Sequence, residues 1–210
     1  MLTVNYDKIT TRAHEMIKHA ANTGQLPPET AERFLSNELK SSSHILYVKH
    51  EITGKSDTAD LVKASDSKQD GVRNLDRAKL DKFENMAVDR IGFGWLAGEQ
   101  TSAIGLYYNT VTGRNDIHPA LFNADLLIKQ NDRVLFEMPV SALLSYEPKG
   151  LLGGPESTFA VYTPFILREE VPVRIQLRFP EGSSVTPPTG QEGDRYWVKV
   201  ELFGTKTQEK

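Results

Sequence analysis

The chain contains no cysteine. That excludes disulfides, thiolate metal sites and cysteine nucleophiles, and it suits a protein made in a reducing compartment. No run approaches ~18 consecutive apolar residues, so no membrane-spanning helix is expected. The charged start, apolar stretch and small-residue cleavage site of a secretory signal are missing from the N-terminus. There is no Asn-x-Ser/Thr sequon and so no mark of glycosylation. An excess of positive charge is absent as well. Residues 1–85 carry thirteen basic and thirteen acidic side chains, residues 86–210 twelve and fifteen, for a net charge of −3. With no basic arm or stripe, sequence-specific nucleic acid is not an expected partner.

What remains is 210 residues, enough to bury a real core. Residues 6–22 read as a helix, because Ile9, Ala13, Met16, Ile17 and Ala20 recur at steps of three and four. Asn22-Thr-Gly24 is its stop signal. Pro27-Pro28-Glu29 starts a second helix, whose apolar face would carry Ala31, Phe34, Leu35 and Leu39 before Ser41-Ser42-Ser43 ends it. Together they predict a helical hairpin arm over residues 1–43. Ile45 to Val48 reads as one strand, residues 53–71 as an exposed polar spacer, and 72–85 as helix or strand. Residues 44–85 are thus a strand plus a polar linker.

From Met86 the pattern turns to strands. Val88 to Trp95 alternates unevenly and carries glycine bends. Ile104 to Tyr108 is a further strand. Leu126–Ile128 and Val134–Phe136 flank a hairpin turn at Gln130-Asn131-Asp132. Phe159–Leu167 follows. The clearest strand is Val171–Phe179, where apolar residues alternate with Pro172, Arg174, Gln176 and Arg178. Pro172 points to an edge or an entry position. Tyr196–Phe203 closes the chain. Helices first and many strands later exclude an alternating α/β fold. The expected class is mainly β: an antiparallel β-sandwich, as a single jelly roll over residues 86–210, with a helical N-terminal extension.

The chemistry is sparse. His14 and His19 are five apart on a helix and point away from each other. His44 and His50 lie ~20 Å apart on one strand face. No His-x-His occurs, and His118 stands alone. Carboxylate pairs such as Asp116 with Asp125, or Glu99 with Glu137, arise readily among 28 acidic residues. Gly-x-Ser-x-Gly is absent, and Gly150-Leu-Leu-Gly153-Gly154 lacks the Gly-Lys-Ser/Thr of a phosphate loop. Phe93, Trp95, Tyr107, Tyr108 and Trp197 are a core or a stacking platform. No catalytic, cofactor-binding or metal-binding residue is expected, no cofactor, and no enzyme activity.

Three segments carry a resemblance. They are Asp125 to Pro139, Tyr162-Thr-Pro-Phe-Ile-Leu-Arg168 continuing through Val171 to Pro180, and the closing stretch Tyr196 to Gly204 with its polar tail. Residues 86–205 are similar in pattern to the jelly-roll structural proteins of tailless icosahedral bacteriophages. The resemblance implies a self-assembling virion subunit, formed in the host cytoplasm, whose partners are copies of itself and other virion proteins. The length suits one jelly roll rather than two fused ones, and leaves open a main-shell or a minor, vertex role. In particles with a membrane beneath the shell, the helical arm is the part placed to touch it. The competing expectation is a carbohydrate- or ligand-binding β-sandwich module, of spike or adhesin type.

Overall fold

The computed structural model describes residues 6–98, 117–144, 158–187 and 195–210. The expected strand at Ile104–Tyr108 and the glycines 150–154 lie outside them, as do Glu99 and Asp116. So do the rest of residues 99–116 and 145–157.

Helix α1 (Tyr6–Asn22) is followed by α2 (Pro28–Leu35). Ala13, Ile17 and Ala20 of α1 are fully buried, as their spacing predicts. Gly24, at φ 71°, turns the chain between the helices. The second helix ends sooner than expected. Asn37 takes a left-handed conformation at φ 63° and reverses the chain, so Leu39 is buried on a strand while Leu35 is exposed.

That strand, β1, runs Leu39–Glu51 and includes the three serines expected to be a stop. Its partner is β8 (Arg195–Glu209), in antiparallel register from Leu39 opposite Glu209 to Glu51 opposite Trp197. The polar stretch Thr205–Glu209, expected as a tail, is the other half of that ladder. The serines have little strand preference of their own, and the ladder with the threonine-bearing end of β8 orders them.

Next come β2 (Thr58–Asp60), β3 (Met86–Gly98), a short helix α3 (Pro119–Phe122), β4 (Asp125–Gln130), β5 (Arg133–Pro139), α4 (Val140–Leu143), β6 (Phe159–Leu167) and β7 (Val173–Arg178). The molecule is mainly β, with two antiparallel four-stranded sheets in the order β1-β8-β3-β6 and β2-β7-β4-β5. Among the described residues only β4 and β5 are both consecutive and paired. Elsewhere each strand passes the chain to the opposite sheet. The β4–β5 hairpin turns at Asn131 (φ 50°) and Asp132 (φ 59°), two residues that tolerate the left-handed region a tight hairpin requires. Strand β7 lies between β2 and β4, so of the two positions read from Pro172 the structure shows the entry to the strand and not an edge. The proline precedes the first ladder residue and costs no hydrogen bond.

Both inner faces meet in one core. Val173, Ile175 and Leu177 of β7, Val198, Val200 and Leu202 of β8, and Phe93 and Trp95 of β3 all lie in it. So do Ala59, Leu61, Val62, Leu75, Ala78 and Leu80. The stretch read as exposed spacer therefore supplies core. It follows turns, with Asp57, Arg77, Ala78 and Phe83 at positive φ, and its apolar residues keep no strand or helix period. Residues 72–85 form neither a helix nor a ladder strand.

Strand β3 slips register between Val88 and Arg90, a bulge at Asp89. Before it, Met86 and Val88 face the main core while Ala87 faces outward, into a cluster with Ile17, Ala20 and Leu26. The helical hairpin thus lies on the outer face of the first sheet.

Candidate functional site

The residues singled out by sequence do not converge. His14 sits within 2.7 Å of the Ser41 hydroxyl and edge-on to Phe34, joining α1, α2 and β1. Burial lowers the pKa of His44, helped by Lys206, and that of His50, helped by Lys55. His118 caps α3 by accepting from the Ala120 amide, and its other ring nitrogen meets Thr186 at 3.1 Å. Among the described residues no group of three or more His, Asp or Glu could hold a metal ion.

Asp125 and Glu137 share one guanidinium instead of flanking a cleft. Arg178 donates to Asp125 at 2.8 Å and to Glu137 at 2.5 Å on the outer face of the second sheet. Their charge raises the arginine's pKa. Phe93, Trp95 and Trp197 are buried, so these three cannot form an exposed stacking platform. Tyr107 and Tyr108 lie outside the described residues. Gly92 and Gly94 are strand residues, and Ser183 donates to Pro180 O at 2.6 Å inside a turn.

A buried polar cluster escaped the sequence reading. The Glu169 carboxylate accepts from the Thr30 hydroxyl of α2 and from the Phe83 amide, and Asn85 reaches it at 3.3 Å. The Glu169 amide donates back to Asn85 Oδ1 at 3.1 Å, and the Asn85 amide donates to Thr207 Oγ1 at 2.9 Å. The four side chains come from four distant segments, so no spacing rule could have joined them. All are at least nine-tenths buried and tie the helical hairpin to the sandwich.

Two of the surface hollows among the described residues have polar groups in their walls. One, of about 430 Å³, lies on the outer face of the first sheet over the β3 bulge, among Ser43, His44, Ile45, Asp89, Arg90 and Phe203. Asp89 Oδ1 makes no hydrogen bond and lies 3.6 Å from Arg90 Nε. Burial raises its pKa and Arg90 opposes the rise. The Arg90 guanidinium stands 5.3 Å from the Phe203 ring centre. The other hollow, of about 480 Å³, runs between β5, the second half of β6 and the α1–α2 turn.

The sheet edges differ between the two sides of the sandwich. On one side, β2 is three residues long, and the middle of β1 is covered. Val72 O accepts from the Lys49 amide at 2.9 Å. Asn74 acts as a piece of strand: its Oδ1 accepts from the Tyr47 amide at 2.7 Å, and its Nδ2 donates to Ile45 O at 2.7 Å. On the other side, β5 and β6 are both edge strands. Among the described residues, only the Arg12 side chain, donating to Tyr162 O at 2.8 Å, hydrogen-bonds the outer edge of β6. Strand β6 has no charged residue, and Tyr162 upon it is 84% exposed. Val134 of β5 is 45% exposed. Short length and covering loops are what keep strand edges from pairing with other chains. The β1–β2 side has both, whereas among the described residues the β5–β6 side has a β5 bulge, Pro164 and a register break in β6 between Ala160 and Phe165.

No helix among the described residues is long and apolar enough to cross a membrane. No family model, curated protein or solved structure matches the chain.

Proposed function

We propose that this chain is a virion structural protein, a single-jelly-roll subunit with a helical N-terminal extension that assembles through protein–protein contacts and carries out no catalysis. The jelly-roll reading is supported by the strand order. Four strands pair as β1-β8-β3-β6 and four as β2-β7-β4-β5, the arrangement in which two Greek keys interlock. The assembly reading rests on one observation: two adjacent edge strands, one of them without a charged residue, bear Tyr162 and Val134 toward solvent. Repeated contacts about symmetry axes need such a surface on a rigid body. Its partners in this proposal are copies of itself and other virion proteins. The apolar face of α1 is buried against Ala87 and Ile166, which favours protein partners over a lipid surface.

Size-exclusion chromatography with light scattering, followed by imaging of the concentrated product, tests this. Trimers, pentamers or closed particles are expected. A strict monomer at high concentration defeats the proposal.

The hollow over the β3 bulge favours a second reading, a ligand- or carbohydrate-binding module. A buried carboxylate oxygen without a hydrogen bond beside Phe203 and exposed Ile45 suits a ring bearing hydroxyl groups. A monomer that binds glycans on an array, and loses binding on Asp89→Asn, would establish it.

A further inference from the structure

The groove between β5 and β6 has a chemistry more specific than its exposed apolar residues. Among the described residues no acidic side chain lines it, whereas Arg133 and Arg168 both do. Neither guanidinium makes an ion pair or hydrogen bond among the described residues, and both residues are exposed. The position of Arg168 is built. Gln130, 6% exposed, donates from Nε2 to Arg168 O at 2.9 Å and to Val171 O at 3.0 Å, and its Oε1 accepts from the Arg168 amide at 2.9 Å. A buried amide thus uses both ends to hold the arginine's backbone while its side chain stays free. Arg133 is held at the mouth of the tight β4–β5 turn.

From the arginines the walls run along the two strands, with Val134 and Leu135 on one, Pro164 and Phe165 on the other, and polar side chains such as Gln25 and Thr163 among them. A small inorganic anion would satisfy the guanidinium groups and leave this length of wall exposed. An extended chain with carboxylates and aliphatic side chains in alternation satisfies both, because alternate residues of a strand point to opposite sides. Carboxylates pair with guanidinium groups through two parallel, charge-assisted hydrogen bonds.

We infer that the β5–β6 groove, with Arg133 and Arg168 along it, is a docking site for an extended acidic peptide segment of a partner protein. The inference rests on the assembly reading only for why a partner segment would meet this side of the molecule.

The test is fluorescence anisotropy on the full chain with a labelled octapeptide of alternating glutamate and valine. A lysine–valine octapeptide is the control and inorganic phosphate the competitor. The glutamate peptide is expected to bind at least about tenfold more tightly than the lysine peptide, and the Arg133→Ala/Arg168→Ala double variant to lose about tenfold or more. Both side chains are exposed, so the variant should keep its circular dichroism spectrum and melting temperature. Equal binding of the two peptides, undiminished binding by the double variant, or displacement by millimolar phosphate each overturns the inference. Light scattering on the same samples separates the two readings. Assembly without peptide binding defeats the groove alone, and peptide binding by a strict monomer defeats assembly alone.

Discussion

Gly204 shows how narrow the tolerance is at the β3 bulge. A Cβ built there would lie 1.8 Å from Ala87 O and 3.1 Å from Val88 Cα, both backbone atoms that no rotamer change can move. The register slip at Asp89 brings the two strands this close, and only a residue without a side chain fits between them. Gly204→Ala should therefore destabilise the protein by about 1–3 kcal/mol or more, read as a lower urea midpoint. An unchanged midpoint would show that the register at Val88 and Arg90 is wrong. The same bulge places Asp89, 5% exposed, on the outer face beside Arg90. One local irregularity thus produces both the glycine requirement and the hollow above it.

At the scale of elements, the question is what orders pieces that would not be stable alone. Helix α2 has eight residues, too few to hold together in water without tertiary support. It leans on the Thr30–Glu169 hydrogen bond and on the apolar cluster of α1, Leu26 and Ala87. A carboxylate buried among donors is costly once a donor is removed. Thr30→Val, which keeps the volume and deletes the hydroxyl, should cost about 1–3 kcal/mol. Hydrogen exchange in α2 should accelerate before that of β7. Uniform acceleration across the sandwich would mean that the helix is not docked through this contact. The hairpin is therefore fastened to the first sheet of the sandwich. Asn74 works at this scale too: one side-chain amide supplies a donor and an acceptor to the middle of β1.

For the molecule as a whole, one core joins both sheets and the 59–80 segment. Ile175 sits fully buried within it on an interior strand. Ile175→Asp places a charge where no partner can reach it, and burying an unpaired charge costs far more than a domain's net stability can absorb. Strand and helix signals in circular dichroism should vanish together in that variant. A melting temperature like that of the wild type would disprove the placement of β7. The difference between the two sides of the sandwich also exists only at this scale, because β5 and β6 become neighbouring edges when the sheets face each other. Phe136 of β5 stacks near Phe159 and Phe165 of β6, with ring centres 6.2 and 6.3 Å apart.

The amino-acid order alone determined what depends on near neighbours. The alternation from Val173 to Phe179 and the helical spacing from Ala13 to Ala20 put apolar side chains on one face whatever lies opposite. Asn131-Asp132 makes its turn from its own backbone preferences. Tertiary structure decided everything that needs a distant partner: the serines of β1 paired with the tail of β8, the apolar residues of the 59–80 turns, the Glu169 cluster and the groove between Arg133 and Arg168. In these places intrinsic preference is weak or contrary, and the free energy comes from ladder hydrogen bonds, burial and charges contributed by segments far away in the chain.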